Sequence, residues 1–136
     1  MVGLPPGKRS WSIGIRHPDR ANAVLGAVDI DQGAVSTSSD GSTLLPAAAG
    51  TAVRLLDPRT LQPSSASLSA TVVSSDGTLA GALAKAVFVL GPTRGLALLD
   101  GFAHTWGIVA YRQPDGTVGV SVSAGHLPSF HPSVTR

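Results

Sequence analysis

The sequence contains no cysteine, which excludes disulfides, thiolate metal sites, iron–sulfur clusters and a cysteine nucleophile. It also contains no glutamate, so a general acid or base must be one of eight aspartates, four histidines, a lysine or the single tyrosine. Aromatic residues make up 4% of the chain and no basic run exceeds two residues, although the net charge is +2. Because a nucleic-acid surface needs clustered cations, often with aromatics, we expect no nucleic-acid partner.

Long hydrophobic runs are missing as well. No stretch approaches the roughly 18 uninterrupted apolar residues of a membrane-spanning helix, and residues 1–8 lack the apolar run of a signal peptide. We therefore expect no membrane partner and a cytoplasmic location. The 136 residues, 43% of them hydrophobic, are enough for one core, so we expect a single domain over 1–136.

Short strands dominate the hydrophobic pattern. Alternating or β-branched apolar residues predict strands at 11–15, 24–30, 34–38, 53–56, 68–74, 105–112 and 117–123. The last two are joined by Gln113-Pro114-Asp115-Gly116, and Asp-Gly is a strong hairpin signal. The residues 39–52 have no clear period and are predicted to be a loop.

One long helix is predicted after the fifth strand. Leu79, Leu83, Val87 and Leu90 recur at nearly helical spacing among alanines, which indicates a helix over 78–90 with capping candidates at 75–78. Gly91-Pro92 should end it, with a shorter helix over 93–99. The fold class is therefore α+β, a mixed sheet with one or two packed helices.

The four histidines do not form a ligand cluster and are predicted to be ordinary surface residues. Residues 124–136 carry two of them, two prolines and no period, and are expected to be disordered. The hydroxyl cluster at 36–39 has two interpretations, local backbone hydrogen bonds or a phosphate contact. The segment Asp57-Pro58-Arg59-Thr60 is typical of a compact Asx-type turn.

Four segments, in the right order and covering roughly residues 8–122, resemble the C-terminal half of the FAD:protein FMN transferase (ApbE) family. Residues 11–18 are similar to W-x-V-G-I-x-x-P, and residues 33–38 to G-x-V-[AS]-T-S-G. Residues 55–60 are similar to H-I-I-D-P-R-T-G. Residues 79–91 are similar to A-D-A-L-A-T-A-x-F-V-x-G. The fold implied is the C-terminal half of the ApbE-like flavin transferase fold.

The resemblance implies that FAD is cleaved at its pyrophosphate and that FMN is transferred to a threonine of a target flavoprotein, with AMP leaving. It also implies that Mg²⁺ bridges the phosphates, since phosphoryl transfer develops charge on oxygens that a hard cation neutralises. The family's aspartate and threonine in D-A-L-A-T lie four residues apart, on one helix face, and can share one ion.

This chain departs from the pattern at those two positions. Gly81 stands at the aspartate position and Lys85 at the threonine position. Arg54 replaces the histidine before the D-P turn, Ser39 the glycine after T-S, and Leu61 the glycine after D-P-R-T. The N-terminal half is absent from the resemblance. We therefore expect no Mg²⁺ site and no FMN transfer by this chain alone. Lys85 is either a solvent-facing lysine or a cation that holds an anion directly.

Three functional classes stay open: a transferase half that needs a complementary chain, a non-catalytic relative that binds flavin or nucleotide or serves as an interaction module, and a decaying sequence without function. A homo-oligomer or a separate chain carrying the N-terminal half is expected as partner, because a partial fold exposes sheet edges. The cofactor implied is FAD, and its predicted contacts are Ser36, Thr37, Ser38, Asp57 and Thr60.

Overall fold

Three antiparallel sheets and one kinked helix make up the described part of the fold. The computed structural model describes residues 6–39, 55–124, 126 and 129–133. In chain order the elements are β1 Trp11–Arg16, β2 Val24–Ile30, β3 Ala34–Ser39, β4 Leu56–Asp57, β5 Gln62–Pro63, β6 Ser69–Ser74, α1 Gly77–Leu99, β7 Thr105–Arg112, β8 Val118–Val122 and β9 Phe130–Pro132. The α+β class predicted from the sequence is confirmed.

The layers follow from the order of the strands. One sheet has the order β1-β2-β9, a second β3-β6-β7-β8, and a third is the small hairpin β4-β5. Helix α1 packs on one face of the four-stranded sheet, where Val72 and Val109 meet Leu83, Val87 and Phe88. The three-stranded sheet covers the other face. Strand β6 is consequently buried at all six of its residues.

Helix α1 begins and bends where the sequence predicts. Asp76 caps it by accepting a hydrogen bond from the Leu79 N–H at 2.9 Å. Gly91 has φ of 80° and ψ of −179°, a conformation open almost only to glycine, and it separates two helical segments. Pro92 opens the second segment, where an N–H would have no partner.

The length and composition of α1 would also allow it to cross a membrane, and it is the one helix in the described part of the chain that meets this test. Core helices of globular domains meet the same test. In this fold the buried side chains of α1, among them Leu83, Val87 and Phe88, pack on the four-stranded sheet.

The C-terminal region differs from the expectation of disorder over 124–136. Residues 130–132 form β9, which pairs with β2, and Phe130 is 6% exposed between the two larger sheets. The sequence did not predict this strand, because three residues are too few to show a hydrophobic periodicity and prolines lie within and near them. The burial of the Phe130 ring and the backbone pairing with β2 both stabilise this strand.

The other loop predictions are resolved only in part. Ser39 belongs to β3, and the rest of the predicted loop over 39–52 lies outside the described residues. Residues 53–54 of the predicted strand 53–56 also lie outside them, while Leu56 and Asp57 form β4. The β7–β8 hairpin is confirmed, with Gly116 at φ of 84° in its turn.

Candidate functional site

The hydroxyl residues of β3 do not share one face of the sheet. Ser36 pairs with Val72 and Ser38 with Ala70, both of which face α1, so these two serines face the helix. Thr37 lies on the opposite face, where its Oγ1 is 2.9 Å from the Oγ1 of Thr71. The structure therefore separates Thr37 from its neighbours in the predicted flavin site.

Helix α1 presents Gly81 and Lys85 one turn apart on the face beside β3. A Cβ added at Gly81 would come within 4 Å of one side-chain atom, the Ser36 Oγ, at 3.9 Å. The Lys85 side chain is exposed and folds back along the helix, where its Nζ donates a hydrogen bond to the Gly81 carbonyl oxygen at 3.2 Å. Gly81 is thus bonded to the Lys85 ammonium through its carbonyl oxygen, and its Cβ position lies near the Ser36 hydroxyl.

The turn that carries Asp57 and Thr60 is held together by its own residues. Both carboxylate oxygens of Asp57 accept hydrogen bonds from Arg59, from Nε at 2.9 Å, from Nη2 at 2.6 Å and from the Arg59 N–H at 2.9 Å. These bonds to Arg59 lower the pKa of Asp57 to about 2, and the charge of Arg94 acts in the same direction. Asp57 is therefore ionised, and its hydrogen bonds to Arg59 stabilise the turn. Thr60 also bonds locally, since its Oγ1 accepts from the Gln62 N–H at 3.3 Å.

Leu61 keeps the turn in the shape that a glycine would favour. Its φ is 57°, in the left-handed region, and its side chain is 72% exposed. A left-handed conformation costs a residue with a Cβ about 1–2 kcal/mol. Leu61 therefore adopts a conformation that glycine adopts more easily, at a local conformational cost.

Replacement of Leu61 by glycine is expected to raise the free energy of unfolding by about 0.5–1 kcal/mol. The relief of strain exceeds the larger unfolded-state entropy of glycine, which offsets about 0.4–1 kcal/mol. Urea denaturation measures the change. Leu61→Ala is the matched control, because it removes the same exposed side chain and keeps the Cβ. An equal rise in the free energy of unfolding in both variants would contradict the idea that the left-handed conformation of Leu61 is strained.

One histidine differs from the prediction of four surface residues. His17 is 8% exposed, and its Nδ1 accepts a hydrogen bond from the Asp19 N–H at 3.1 Å. Burial, with the charges of Arg20 and Arg112, lowers the pKa of His17, while Asp19 opposes this. A neutral imidazole with an accepting Nδ1 suits that environment. The turn signal at Pro18 gave no indication of this burial.

The residues described do not fit a magnesium ion. Gly81 brings no side-chain oxygen, and the Lys85 side chain brings a positive charge that already occupies the Gly81 carbonyl oxygen. No group of three or more histidine, aspartate or glutamate residues in the described ranges could hold a metal. Arg54, at the position of the family's histidine, lies outside those ranges.

Comparison with known proteins decides the family. A family-wide sequence comparison matches residues 1–108 to the ApbE family. The chain belongs to the ApbE family. A search of curated proteins finds no match of comparable significance.

Solved ApbE structures share the fold. The ApbE protein of Thermotoga maritima has 25% identity and a TM-score of 0.69, with 97% of this chain covered and 41% of that one. The flavinyl transferase ApbE of Pseudomonas stutzeri has 27% identity and a TM-score of 0.64, with 92% and 37% covered. The flavin transferase ApbE of Vibrio cholerae, in a variant form, has 23% identity and a TM-score of 0.68, with 93% and 40% covered, which concerns the fold alone. This ApbE-family chain spans about two fifths of their lengths.

Proposed function

We propose that this ApbE-family chain binds a flavin nucleotide, with FAD as its ligand, and does not transfer FMN by itself. The flavin part is supported by the names of two relatives, the flavin transferase ApbE of Vibrio cholerae and the flavinyl transferase ApbE of Pseudomonas stutzeri. Ser36 and Ser38 lie on the helix side of β3 and remain predicted contacts, with Ser36 half-buried and Ser38 buried. Thr37, Asp57 and Thr60 remain predicted contacts, although their side chains are engaged by neighbours.

The proposed lack of FMN transfer is supported by one observation, the hydrogen bond from Lys85 to the Gly81 carbonyl oxygen. This bond joins the two residues that stand at the positions where the resemblance implies oxygen ligands of an ion, and one of the two carries a positive charge. Phosphoryl transfer depends on a metal that neutralises charge on the departing phosphates. A fixed ammonium can attract the phosphates, but it offers no oxygen ligand for the ion that would complete the reaction.

A binding and turnover experiment tests both parts. The purified chain is titrated with FAD, and is separately incubated with FAD, Mg²⁺ and a threonine-containing acceptor peptide while AMP is measured. We expect bound FAD and no AMP. A full-length ApbE transferase is the positive control for the assay. AMP release above the protein-free rate would disprove the claim that this chain does not transfer FMN. Absence of FAD binding would disprove the claim that it binds a flavin nucleotide.

The coverage of the relatives favours a second candidate, a transferase part that works together with further polypeptide. Such polypeptide could be a complementary chain or a second copy of this one. Sheet edges such as β8, where Val120 is 38% exposed, are surfaces of the kind that pair. Sedimentation velocity at several concentrations tests self-association, and a monomer at every concentration would argue against a second copy. The cytoplasmic location stays a prediction.

A further inference from the structure

We propose that Lys85 binds the pyrophosphate of the flavin nucleotide directly, so that nucleotide binding by this chain needs no divalent cation. This inference rests on the proposed function, and it concerns the same face of α1. The surface involved, the Lys85 site, consists of Lys85, Gly81 and Ser36.

The first argument is the position of the ammonium. Because residues four apart on a helix share a face, the Lys85 side chain can fold back over the preceding turn, and its Nζ lies 3.2 Å from the Gly81 oxygen. An ammonium has three N–H donors, and this bond uses one of them. We infer that an incoming oxygen accepts from the remaining donors, and the backbone bond holds the charge beside Gly81 on α1.

The second argument is the space beside it. Among the described residues, the one atom that a Cβ added at Gly81 would meet is the Ser36 hydroxyl oxygen, at ordinary contact distance, 3.9 Å. Ser36 is half-buried on the helix side of β3. The Ser36 hydroxyl therefore borders the Cβ position of Gly81, and the Lys85 ammonium lies on the carbonyl oxygen of the same residue. Phosphate oxygens accept hydrogen bonds from both kinds of group.

The third argument is the balance of charge. The ion pairs within the described ranges join Arg59 to Asp57, Arg112 to Asp19 and His131 to Asp29, and Lys85 takes part in none of them. The nearest acid along the helix, Asp76, is nine residues away and caps the Leu79 N–H. A cation without a carboxylate partner attracts an anion and repels a second cation. The Lys85 site is thus suited to a phosphate and unsuited to Mg²⁺.

Binding measurements with and without metal test the inference. FAD is titrated in EDTA and in Mg²⁺ against the unmodified chain, Lys85→Ala and Arg16→Ala. Arg16 is an exposed cation on β1, in the sheet on the far side from α1, and controls for loss of net charge. We expect equal affinity in EDTA and Mg²⁺, a loss of about 10-fold or more for Lys85→Ala, and less than about 2-fold for Arg16→Ala. Equal affinity of Lys85→Ala and the unmodified chain, or loss of binding in EDTA, would overturn the proposal.

A reversal variant makes the test stricter. Gly81→Asp combined with Lys85→Thr restores the family's two oxygen donors, and the space at Gly81 accepts a side chain. We expect FAD binding by the double variant to require Mg²⁺. Gly81→Asp alone should lose binding in both buffers, because the new carboxylate pairs with Lys85. Thermal melts confirm that each variant is folded.

Inorganic pyrophosphate separates this inference from the proposed function. If pyrophosphate binds the unmodified chain and binds Lys85→Ala at least about 10-fold more weakly, the Lys85 site stands even where FAD itself fails to bind. If FAD binds while pyrophosphate and the Lys85 variants show no effect, the flavin function stands and the Lys85 site is disproved.

Discussion

Replacing Phe88 by alanine is expected to lower the free energy of unfolding by about 3–5 kcal/mol, the usual cost of removing a buried phenylalanine ring. Phe88 has no exposed surface and lies in the cluster between α1 and the four-stranded sheet. Since domains of this size are stable by about 5–15 kcal/mol, this single change removes a large part of the total. Urea denaturation followed by circular dichroism measures the loss.

Two further variants keep the Phe88 prediction decisive. Phe88→Leu retains most of the buried volume and should cost clearly less, so it reports on the site if the alanine variant does not fold. Val89→Ala is the matched control on the same helix, where the side chain is only partly buried. Equal losses for Phe88→Ala and Val89→Ala would show that the cluster under α1 is not the main core.

Replacing Gly26 by alanine is expected to detach β9 and to cost about 1–3 kcal/mol, as overpacking of a close contact does. A Cβ at Gly26 would lie against the His131 carbonyl oxygen and within 2.6 Å of the Phe130 ring. Backbone and a buried ring cannot both move aside while β9 stays paired with β2. Hydrogen exchange of residues 129–133 should then accelerate, including the Ser133 N–H that donates to the Leu25 oxygen at 2.8 Å.

Gly14→Ala is the control for this second prediction. Gly14 lies on β1 of the same sheet, and its added Cβ would meet only a Val24 methyl, at 3.4 Å. This variant should leave both the unfolding free energy and the exchange of residues 129–133 unchanged. Unaltered exchange in Gly26→Ala would show that β9 does not depend on the close approach at Gly26.

Local signals in the sequence predicted much of the helix and the hairpin. The aspartate cap at 76, the Gly91-Pro92 interruption and the turn at Asp115-Gly116 each act over three or four residues, and each is found in the structure. Strand periodicity also implied that Ser36 and Ser38 share a face that Thr37 does not. This alternation argues against one shared site for Ser36, Thr37 and Ser38, and the structure places Thr37 on the other face.

The candidate site could be predicted only in part. The spacing of Gly81 and Lys85 already placed them on one helix face, and the bond between them agrees with this. The neighbouring Ser36 comes from a strand 45 positions earlier in the chain, so its approach to Gly81 depends on how α1 packs on β3. The engagement of Asp57 by Arg59 depends on side-chain rotamers within the turn.

What the sequence by itself determined is the α+β class, the start and bend of α1, the hairpin turn and the loss of the oxygen donors at Gly81 and Lys85. These follow from residue type and from spacing within a few positions. Only the tertiary structure decided that β9 joins the first sheet, that His17 is buried and that Ser36 borders the Lys85 site. Each of those depends on contacts between segments distant in the chain, where burial and close packing outweigh local preference.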